Sequence, residues 1–244
     1  MTKHCMEKEL SSQNWRLVIN LQGGRIEELS YENNQILGTF DRKDGKKGHT
    51  HICTPNFNME GTVEYGLPPH GNLRNMEWHI KTEDDSYLSI YCNVPATHLY
   101  KAELYVEQIF ELDKSFKHTV IVENTLGETV PVNIGIHNYW TTPGGWEGTK
   151  VNGLFITSEV INNGQMVSRK SNTIAFPDGR RFRLKLSDLH YLKLWTSSNI
   201  NKEFDSDYVC IEPVLSLKPD YFGSKQSLLK EGKAMGASQE ISLL

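Results

Sequence analysis

Val130-Pro131-Val132-Asn133-Ile134-Gly135-Ile136-His137-Asn138-Tyr139-Trp140 alternates apolar and polar residues along most of its length. Side chains of a β-strand point to opposite faces in turn, so the apolar residues share one face and Asn133, Gly135 and His137 share the other. This period of two predicts a strand over 130–137 with its apolar face in the core. We expect His137 to line a pocket with aromatic walls from Tyr139 and Trp140. A solvent-facing histidine beside packed aromatics is the alternative.

A second stretch, Asp207-Tyr208-Val209-Cys210-Ile211-Glu212-Pro213, has the same pattern. Val209 and Ile211 take the core side, which leaves Glu212 on the opposite face. Because proline cannot donate a hydrogen bond to a sheet, we expect the strand to end at Glu212. A carboxylate at the mouth of a cleft is placed to act as a general base, and a solvated glutamate is the alternative.

A third stretch, Pro68-Pro69-His70-Gly71-Asn72-Leu73-Arg74, places a histidine and an arginine at a turn. The two prolines end any regular structure before them, and Gly71 permits a sharp bend. The guanidinium of Arg74 offers a planar fork of donors that suits oxyanions or vicinal hydroxyls. We expect His70 and Arg74 to stand at the mouth of a small-molecule site, with a plain surface loop as the alternative.

Short alternating segments separated by glycine and asparagine turns recur along the whole chain, and no long apolar pattern has a helical period. The predicted strands are 15–21, 25–31, 77–80, 87–92, 103–112, 116–123, 130–137, 151–156, 181–186, 191–196, 208–212 and 240–243. Many short strands with little helix indicate an all-β protein, a large antiparallel β-sandwich. We expect a polar leader over 1–13 and a single domain over 14–244.

The composition excludes several classes of partner. The net charge is −4 and charged residues make up 23% of the chain, with both signs mixed. Nucleic-acid and membrane-surface binding would require a basic stripe, so we expect neither. The apolar runs are too short to span a membrane, and the first 13 residues lack the core of a signal peptide. Four scattered cysteines indicate reduced thiols, and we expect a cytoplasmic protein.

Taken in order, these stretches resemble the galactose-mutarotase-like superfamily, which contains the aldose 1-epimerases and the hexose-6-phosphate 1-epimerases. The pattern from Pro68 to Trp78 is similar to that of the hexose-6-phosphate branch. Gly135-x-His137-x-Tyr139-Trp140 is similar to the strand with the family's second histidine, and Cys210-Ile211-Glu212-Pro213 to its late Glu-Pro strand. Gly24-Arg25-Ile26 and the run over 228–242 extend the resemblance over most of the chain.

The resemblance implies a mutarotase-like supersandwich that binds a sugar in an open cleft on one sheet. It implies interconversion of α and β anomers by opening and closing of the pyranose ring, with Glu212 as the base and His137 as the acid. His70 would bind near the ring oxygen, and Trp140 would contact the substrate. Arg74 would contact substrate oxygens or hold another site residue. It also implies a sugar or sugar phosphate as the ligand, neither metal nor cofactor, and a monomer or homodimer.

Two departures from the family pattern concern the substrate. Lys47 stands where the hexose-6-phosphate branch usually has an arginine that binds phosphate, and His49-Thr50-His51 replaces its glycine-apolar-proline run. Lysine binds phosphate as a point charge without a bidentate fork, so the preference for a phosphorylated sugar stays open. The stretch over 158–163 lacks the usual aspartate, which could alter the sugar specificity or weaken or abolish the activity.

Two other classes of function compete with this interpretation. A non-catalytic carbohydrate-binding protein on the same fold would stack sugars on Trp78, Tyr139, Trp140 and Trp146, but the pair His137 and Glu212 disfavours it. A metal-dependent β-barrel enzyme is suggested by His49-x-His51 with Glu60 downstream, but the sequence offers no third histidine at a fitting distance.

Overall fold

Two antiparallel sheets contain most of the strands in the computed structural model, which describes residues 6–162, 164–218 and 220–244. In chain order the strands are β1 (Glu7–Ser12), β2 (Trp15–Asn20), β3 (Arg25–Tyr31), β4 (Asn34–Asp41), β5 (Lys47–His49), β6 (His51–Cys53), β7 (His79–Glu83), β8 (Tyr87–Val94), β9 (Ala102–Leu112), β10 (Phe116–Gly127), β11 (Val130–Pro131), β12 (Gly135–His137), β13 (Tyr139–Thr141), β14 (Lys150–Val151), β15 (Leu154–Phe155), β16 (Gln165–Val167), β17 (Ser171–Ala175), β18 (Arg181–Ser187), β19 (Tyr191–Trp195), β20 (Tyr208–Val214), β21 (Leu228–Leu229) and β22 (Lys233–Leu243).

The larger sheet has eleven strands within the described residues. Its main path runs β1-β2-β3-β4-β13-β20-β12-β6, with β5 beside β4, β19 beside β20 and β16 beside β19. The smaller sheet has nine, in the order β15-β14-β17-β18-β22-β10-β9-β8-β7, and β11 pairs with β21 separately. One 3₁₀ turn, Leu73–Asn75, is described between β6 and β7. The prediction of an all-β antiparallel sandwich is therefore confirmed.

The two sheets share one hydrophobic core, to which both contribute alternate residues. Ile136 and Ile211 reach it from the larger sheet, and Val106, Val122 and Ile241 reach it from the smaller one. Because side chains alternate, the next residues along β12 and β20 point to the outer face of the larger sheet. This outer face holds the cleft described below.

A reciprocal amide pair joins the sheets directly beside the cleft. Asn138 donates from its side-chain nitrogen to Oε1 of Gln239 at 2.7 Å, and Gln239 donates back to Oδ1 of Asn138 at 3.2 Å. Both residues are buried. Asn138 separates β12 from β13, so a satisfied pair of buried amides fixes the short break between two strands of the larger sheet.

The prediction of one continuous strand over 130–137 was wrong. Val132 and Ile134 enter the core as expected, but only β11 and β12 are strands within this stretch. Asn133 is buried away from the cleft, and its side-chain nitrogen donates to Glu60 and to the carbonyl of Ser216, each at 2.9 Å. The backbone N–H groups of Val132 and Asn133 donate to the carbonyls of Ser227 and Pro55, which lie outside any strand, so the backbone leaves the regular ladder between β11 and β12.

Three other strand predictions need correction. Residues 7–12 of the predicted leader form β1, which pairs along its whole length with β2, whereas residues 1–5 lie outside the described part of the chain. Pro213 does not end β20, which continues to Val214, so Glu212 lies inside the strand. The segment over 151–156 is part of a tight hairpin, β14 and β15, rather than one strand.

Among the described residues, no helical segment has the length and apolar composition of a membrane span.

Candidate active site

The two candidate catalytic side chains face each other across neighbouring strands. β12 and β13 pair with β20 in a common antiparallel register, which places His137 directly opposite Glu212. Nε2 of His137 lies 3.7 Å from Oε2 of Glu212. The two residues are only 6% and 2% exposed, at the floor of a cleft of about 600 Å³. The sequence pattern thus predicted two groups that the fold brings into contact range.

Two further ionisable side chains extend this pair into a row across the sheet. His51 of β6 pairs with His137, and their rings stack at a centroid distance of 5.1 Å. Lys193 of β19 pairs with Glu212 on the other side. The row therefore reads His51, His137, Glu212, Lys193 over four adjacent strands, and we call it the transverse row. Neighbouring strands lie about 4.8 Å apart, so the row offers one ionisable group at each such step.

Burial sets the protonation of the central pair. Loss of water raises the pKa of Glu212 to about 8, and the positive charge of Lys193 only partly opposes this rise. Burial also moves the pKa of His137 well below its ordinary value, helped by repulsion from His51, His70 and nearby arginines. The 3.7 Å contact is thus an approach between a protonated carboxyl and a neutral imidazole at neutral pH. Besides the N–H of the neutral imidazole, the pair therefore carries one acidic proton, that of Glu212.

The turn that carries His70 has a strained backbone held by close packing. His70 has a φ of 65° and Gly71 a φ of 71°, and a Cβ on Gly71 would lie 2.0 Å from the carbonyl oxygen of Thr54. Nδ1 of His70 lies 3.3 Å from Sγ of Cys53. Burial, followed by the charge of nearby arginines, lowers the pKa of His70 to about 4. His70 is therefore a neutral imidazole whose position is fixed at the cleft wall.

Arg74 follows in the 3₁₀ turn and also lines the cleft. One of its terminal nitrogens donates to the carbonyl of Pro69 at 3.1 Å. Nε of Arg25 donates to the carbonyl of Arg74 at 3.1 Å, and another nitrogen of Arg25 lies 3.5 Å from Nε2 of His49. Arg25 therefore fixes the turn that carries Arg74 while adding its own charge to the wall.

The cleft has an excess of positive charge. Its lining contains Arg25, Arg42, Lys46, Lys47, Arg74 and Lys193, and the one carboxyl group that the described part of the chain places there is that of Glu212. Arg42 is paired with Asp44 and stacks on Trp195, with 4.8 Å between the guanidinium carbon and the ring centroid. Within the described residues, none of the other five cations has a carboxylate within salt-bridge distance. The rim thus favours an anionic ligand.

Trp140 was wrongly predicted to contact the substrate. It is fully buried in the shared core, where it packs on Phe176 and Phe182 and donates from its indole nitrogen to Ile211. The aromatic walls of the cleft are instead Tyr139 and Trp195. The ring of Tyr139 stacks on His137 at 4.8 Å. Alternation already placed Tyr139 on the face of His137, but no local signal in the sequence marked Trp195.

Sequence reasoning also missed several cleft residues. His51 was considered as a metal ligand and as part of a departure from the family pattern, but not as a cleft residue. Arg25 entered only through the resemblance of Gly24-Arg25-Ile26, and Arg42 and Lys193 carried no motif. His49 lines the cleft wall, where its Nδ1 lies 3.2 Å from the hydroxyl of Thr39. The stretch over 158–163 contributes indirectly, because the carbonyl of Asn162 accepts a hydrogen bond from Lys193 at 2.7 Å. Asn163 lies outside the described residues.

Among the described residues, the donor atoms that could hold a metal are those of His137, Cys210 and Glu212, which all lie within 4.8 Å of one another. Their chemistry fits a metal poorly. Burial and the nearby Glu212 raise the pKa of the Cys210 thiol, whereas a metal requires the thiolate. Nδ1 of His137 also has no partner within the described residues, although metal-bound histidines usually donate from their second nitrogen. The suggested set of His49, His51 and Glu60 forms no such group among the described residues, and Glu60 accepts a hydrogen bond from Asn133.

Comparison with known proteins agrees with this architecture. The family model for aldose 1-epimerase matches residues 9–234. A galactose mutarotase-like protein from Lactobacillus casei is 16% identical, with a TM-score of 0.81 over 98% of this chain and 100% of its own. A galactose mutarotase related enzyme from Lactobacillus acidophilus is 14% identical, with a TM-score of 0.79 over 98% and 97%. No curated protein sequence matches the chain significantly.

We expect the Glu212→Gln variant to be more stable than the wild type in alkaline solution. The folded protein raises the pKa of Glu212 from 4.5 to about 8, so folding favours the protonated carboxyl. The wild type therefore loses stability, relative to the neutral glutamine variant, as the pH rises from 4.5 to about 8. Urea unfolding should show a gain on the order of a few kcal/mol at pH 9 and little difference at pH 4.

The exposed Glu103 of β9 provides the matched control, because Glu103→Gln removes the same charge outside the cleft. Its stability relative to the wild type should change little between the two pH values. An equal effect of Glu212→Gln at pH 4 and pH 9 would contradict the assignment of a buried, protonated carboxyl.

Proposed function

The chain belongs to the aldose 1-epimerase family, and we propose that it interconverts the α and β anomers of a negatively charged hexose. The observation that carries this proposal is the contact between His137 and Glu212. Two groups of suitable chemistry lie 3.7 Å apart on the floor of a cleft large enough for a monosaccharide. Acid–base catalysis of ring opening requires one group within reach of the anomeric oxygen and another within reach of the ring oxygen, because both oxygens are bonded to C1.

The reaction needs one proton on the pair, which is the number that burial leaves there. The group without the proton removes a proton from the anomeric hydroxyl, while the other group protonates the ring oxygen as the C1–O5 bond breaks. Rotation about C1–C2 of the open-chain aldehyde exposes its other face, and the same groups exchange roles as the ring closes. We assign Glu212 as the base and His137 as the acid in the opening step, so the proton of Glu212 first passes to His137 across the 3.7 Å contact, and neither residue is consumed.

His70 completes the polar wall beside His137. Their ring centroids are 5.5 Å apart, so His70 can reach the same end of a bound pyranose. Burial raises the pKa of the Cys53 thiol, which therefore stays protonated and can donate to Nδ1 of His70. In that tautomer Nε2 carries a hydrogen, and we propose that it donates to the sugar near the ring oxygen.

The charge of the cleft supports a phosphorylated hexose over a free one. Lys47 extends from β5 at the rim, and Lys46 and Arg74 add positive charge nearby. Charged hydrogen bonds to phosphate contribute about 1.5–3 kcal/mol each when they are partly shielded from water. We therefore propose a hexose phosphate as the preferred substrate class, with the phosphate bound by lysine and arginine side chains at the rim.

The competing function, carbohydrate binding without catalysis, loses part of its basis. Three of the four aromatics suggested for stacking, Trp78, Trp140 and Trp146, are buried in the core. The aromatic rings of the cleft are Tyr139 and Trp195. They stand beside the acid–base pair and do not form an open, flat surface for a sugar. The cleft therefore favours a reaction at one carbon over stacking of an extended sugar surface.

We expect saturation-transfer NMR to detect enzyme-dependent exchange between the anomers of glucose 6-phosphate, glucose or galactose. Glu212→Gln and His137→Ala should lower the exchange rate by about a hundredfold or more, since each removes one partner of the proton transfer. Glu103→Gln is the control and should retain the wild-type rate. Sugar signals that broaden on binding without any exchange would refute the enzyme and support the carbohydrate-binding alternative.

The proposed phosphate preference predicts a charge-dependent KM. Lys47→Gln should raise the KM for glucose 6-phosphate by about tenfold at low salt, the equivalent of 1.4 kcal/mol, and leave glucose turnover unchanged. Lys170→Gln is the matched control, because Lys170 is exposed and lies outside the cleft. If the wild type converts glucose as well as its phosphate ester at low salt, the phosphate preference is wrong.

A further inference from the structure

His51 has the position and the chemistry of a substrate ligand, yet the proposed proton transfers do not use it. It stands at the end of the transverse row beside His137 and lines the same cleft. Its side chain is 7% exposed. A buried polar ring at the floor of a cleft requires a partner for each nitrogen, because an unsatisfied buried acceptor costs about 1–3 kcal/mol.

The hydrogen bond of one ring nitrogen fixes the tautomer of His51. Nδ1 lies 2.6 Å from the carbonyl oxygen of His49, and a carbonyl only accepts hydrogen bonds. Nδ1 therefore carries the hydrogen, and Nε2 presents a lone pair. Nε2 is buried and has no partner within the described residues. Burial and the charges of nearby Arg74 and Arg25 lower the pKa of His51 to about 3, so the ring stays a neutral acceptor.

We propose that His51 determines specificity by accepting, at Nε2, a hydrogen bond from a sugar hydroxyl on the ring-oxygen side of the anomeric carbon. This inference rests on the proposed anomer interconversion, in which His137 serves the ring oxygen and Glu212 the anomeric oxygen. His51 lies one strand beyond His137, away from Glu212. It therefore faces the part of the pyranose that follows the ring oxygen, where C4 and C6 carry hydroxyls.

The lone pair also determines which groups are unfavourable at this point. A phosphate oxygen offers no hydrogen to an acceptor, so a 6-phosphate must turn away from His51 towards the cationic rim. In a hexose 6-phosphate the remaining donor on this side is the 4-hydroxyl. His51 would then distinguish sugars by the configuration at C4. A site built to bind a hydroxyl rejects the analogue that lacks it, because its own polar group is left unpaired.

The test combines substitution of His51 with removal of a sugar hydroxyl, and compares the effect of each change on the dissociation constant alone and together. Dissociation constants are measured calorimetrically for glucose 6-phosphate, 4-deoxyglucose 6-phosphate, glucose and 6-deoxyglucose, with wild type and His51→Phe. Removal of the contacted hydroxyl should weaken binding to the wild type by about tenfold and should leave His51→Phe unaffected. His51→Gln keeps an acceptor and should restore part of the discrimination. His98→Phe replaces an exposed histidine outside the cleft and should behave as the wild type.

A measurement on the wild type alone keeps the proposal testable if His51→Phe does not fold. In ¹⁵N NMR the unprotonated Nε2 of His51 should shift on addition of glucose 6-phosphate and shift less with the deoxy analogue. Equal losses of affinity in wild type and His51→Phe for both deoxy sugars would overturn the role of His51. Anomer exchange is measured in parallel: exchange without this coupling refutes only the role of His51, whereas absence of exchange refutes the proposed function and this role with it.

Discussion

The antiparallel register of β6, β12, β20 and β19 is the constraint on which the candidate site depends. It aligns His51, His137, Glu212 and Lys193 in one row, at the spacing of neighbouring strands. A slip of one residue in any of these strands would turn its member of the row into the hydrophobic core. The alternate residues on the other face, such as Ile136 and Ile211, pack in that core and so oppose the slip. The same packing that stabilises the sandwich therefore positions the chemical groups.

Burial then determines what these groups can do. In water a glutamate at neutral pH is charged, but on this cleft floor Glu212 retains its proton and His137 stays neutral. The pair can exchange one proton with a substrate without a net change in its own charge. The surrounding cations have a different role, because the chain as a whole has a net charge of −4 while the cleft lining is positive. This local excess of positive charge favours an anionic sugar in the cleft. It arises from the fold, which brings these cationic side chains together, and not from the overall composition.

Much of this arrangement could be predicted from local sequence. Alternation located His137 and Glu212 on faces opposite the core, and it gave the bounds of β3 correctly as 25–31. It failed where strands are short or lack alternation. β6 has only three residues, and the polar stretch Glu7–Ser12 forms an edge strand through pairing with β2. The contacts of His51 and Lys193 depend on pairing between strands far apart in the chain, for which a single sequence contains no local signal.

The most direct test of the single shared proton is the pH dependence of anomer exchange, after subtraction of the uncatalysed rate. The account predicts a plateau around neutral pH and a loss of kcat/KM above about pH 8, where Glu212 releases the proton that the pair needs. Circular dichroism over the same range would show that the protein stays folded. A rate that stays constant to pH 10, or one that falls on acidification through pH 6.5, would contradict a pair that holds one proton on a buried carboxyl.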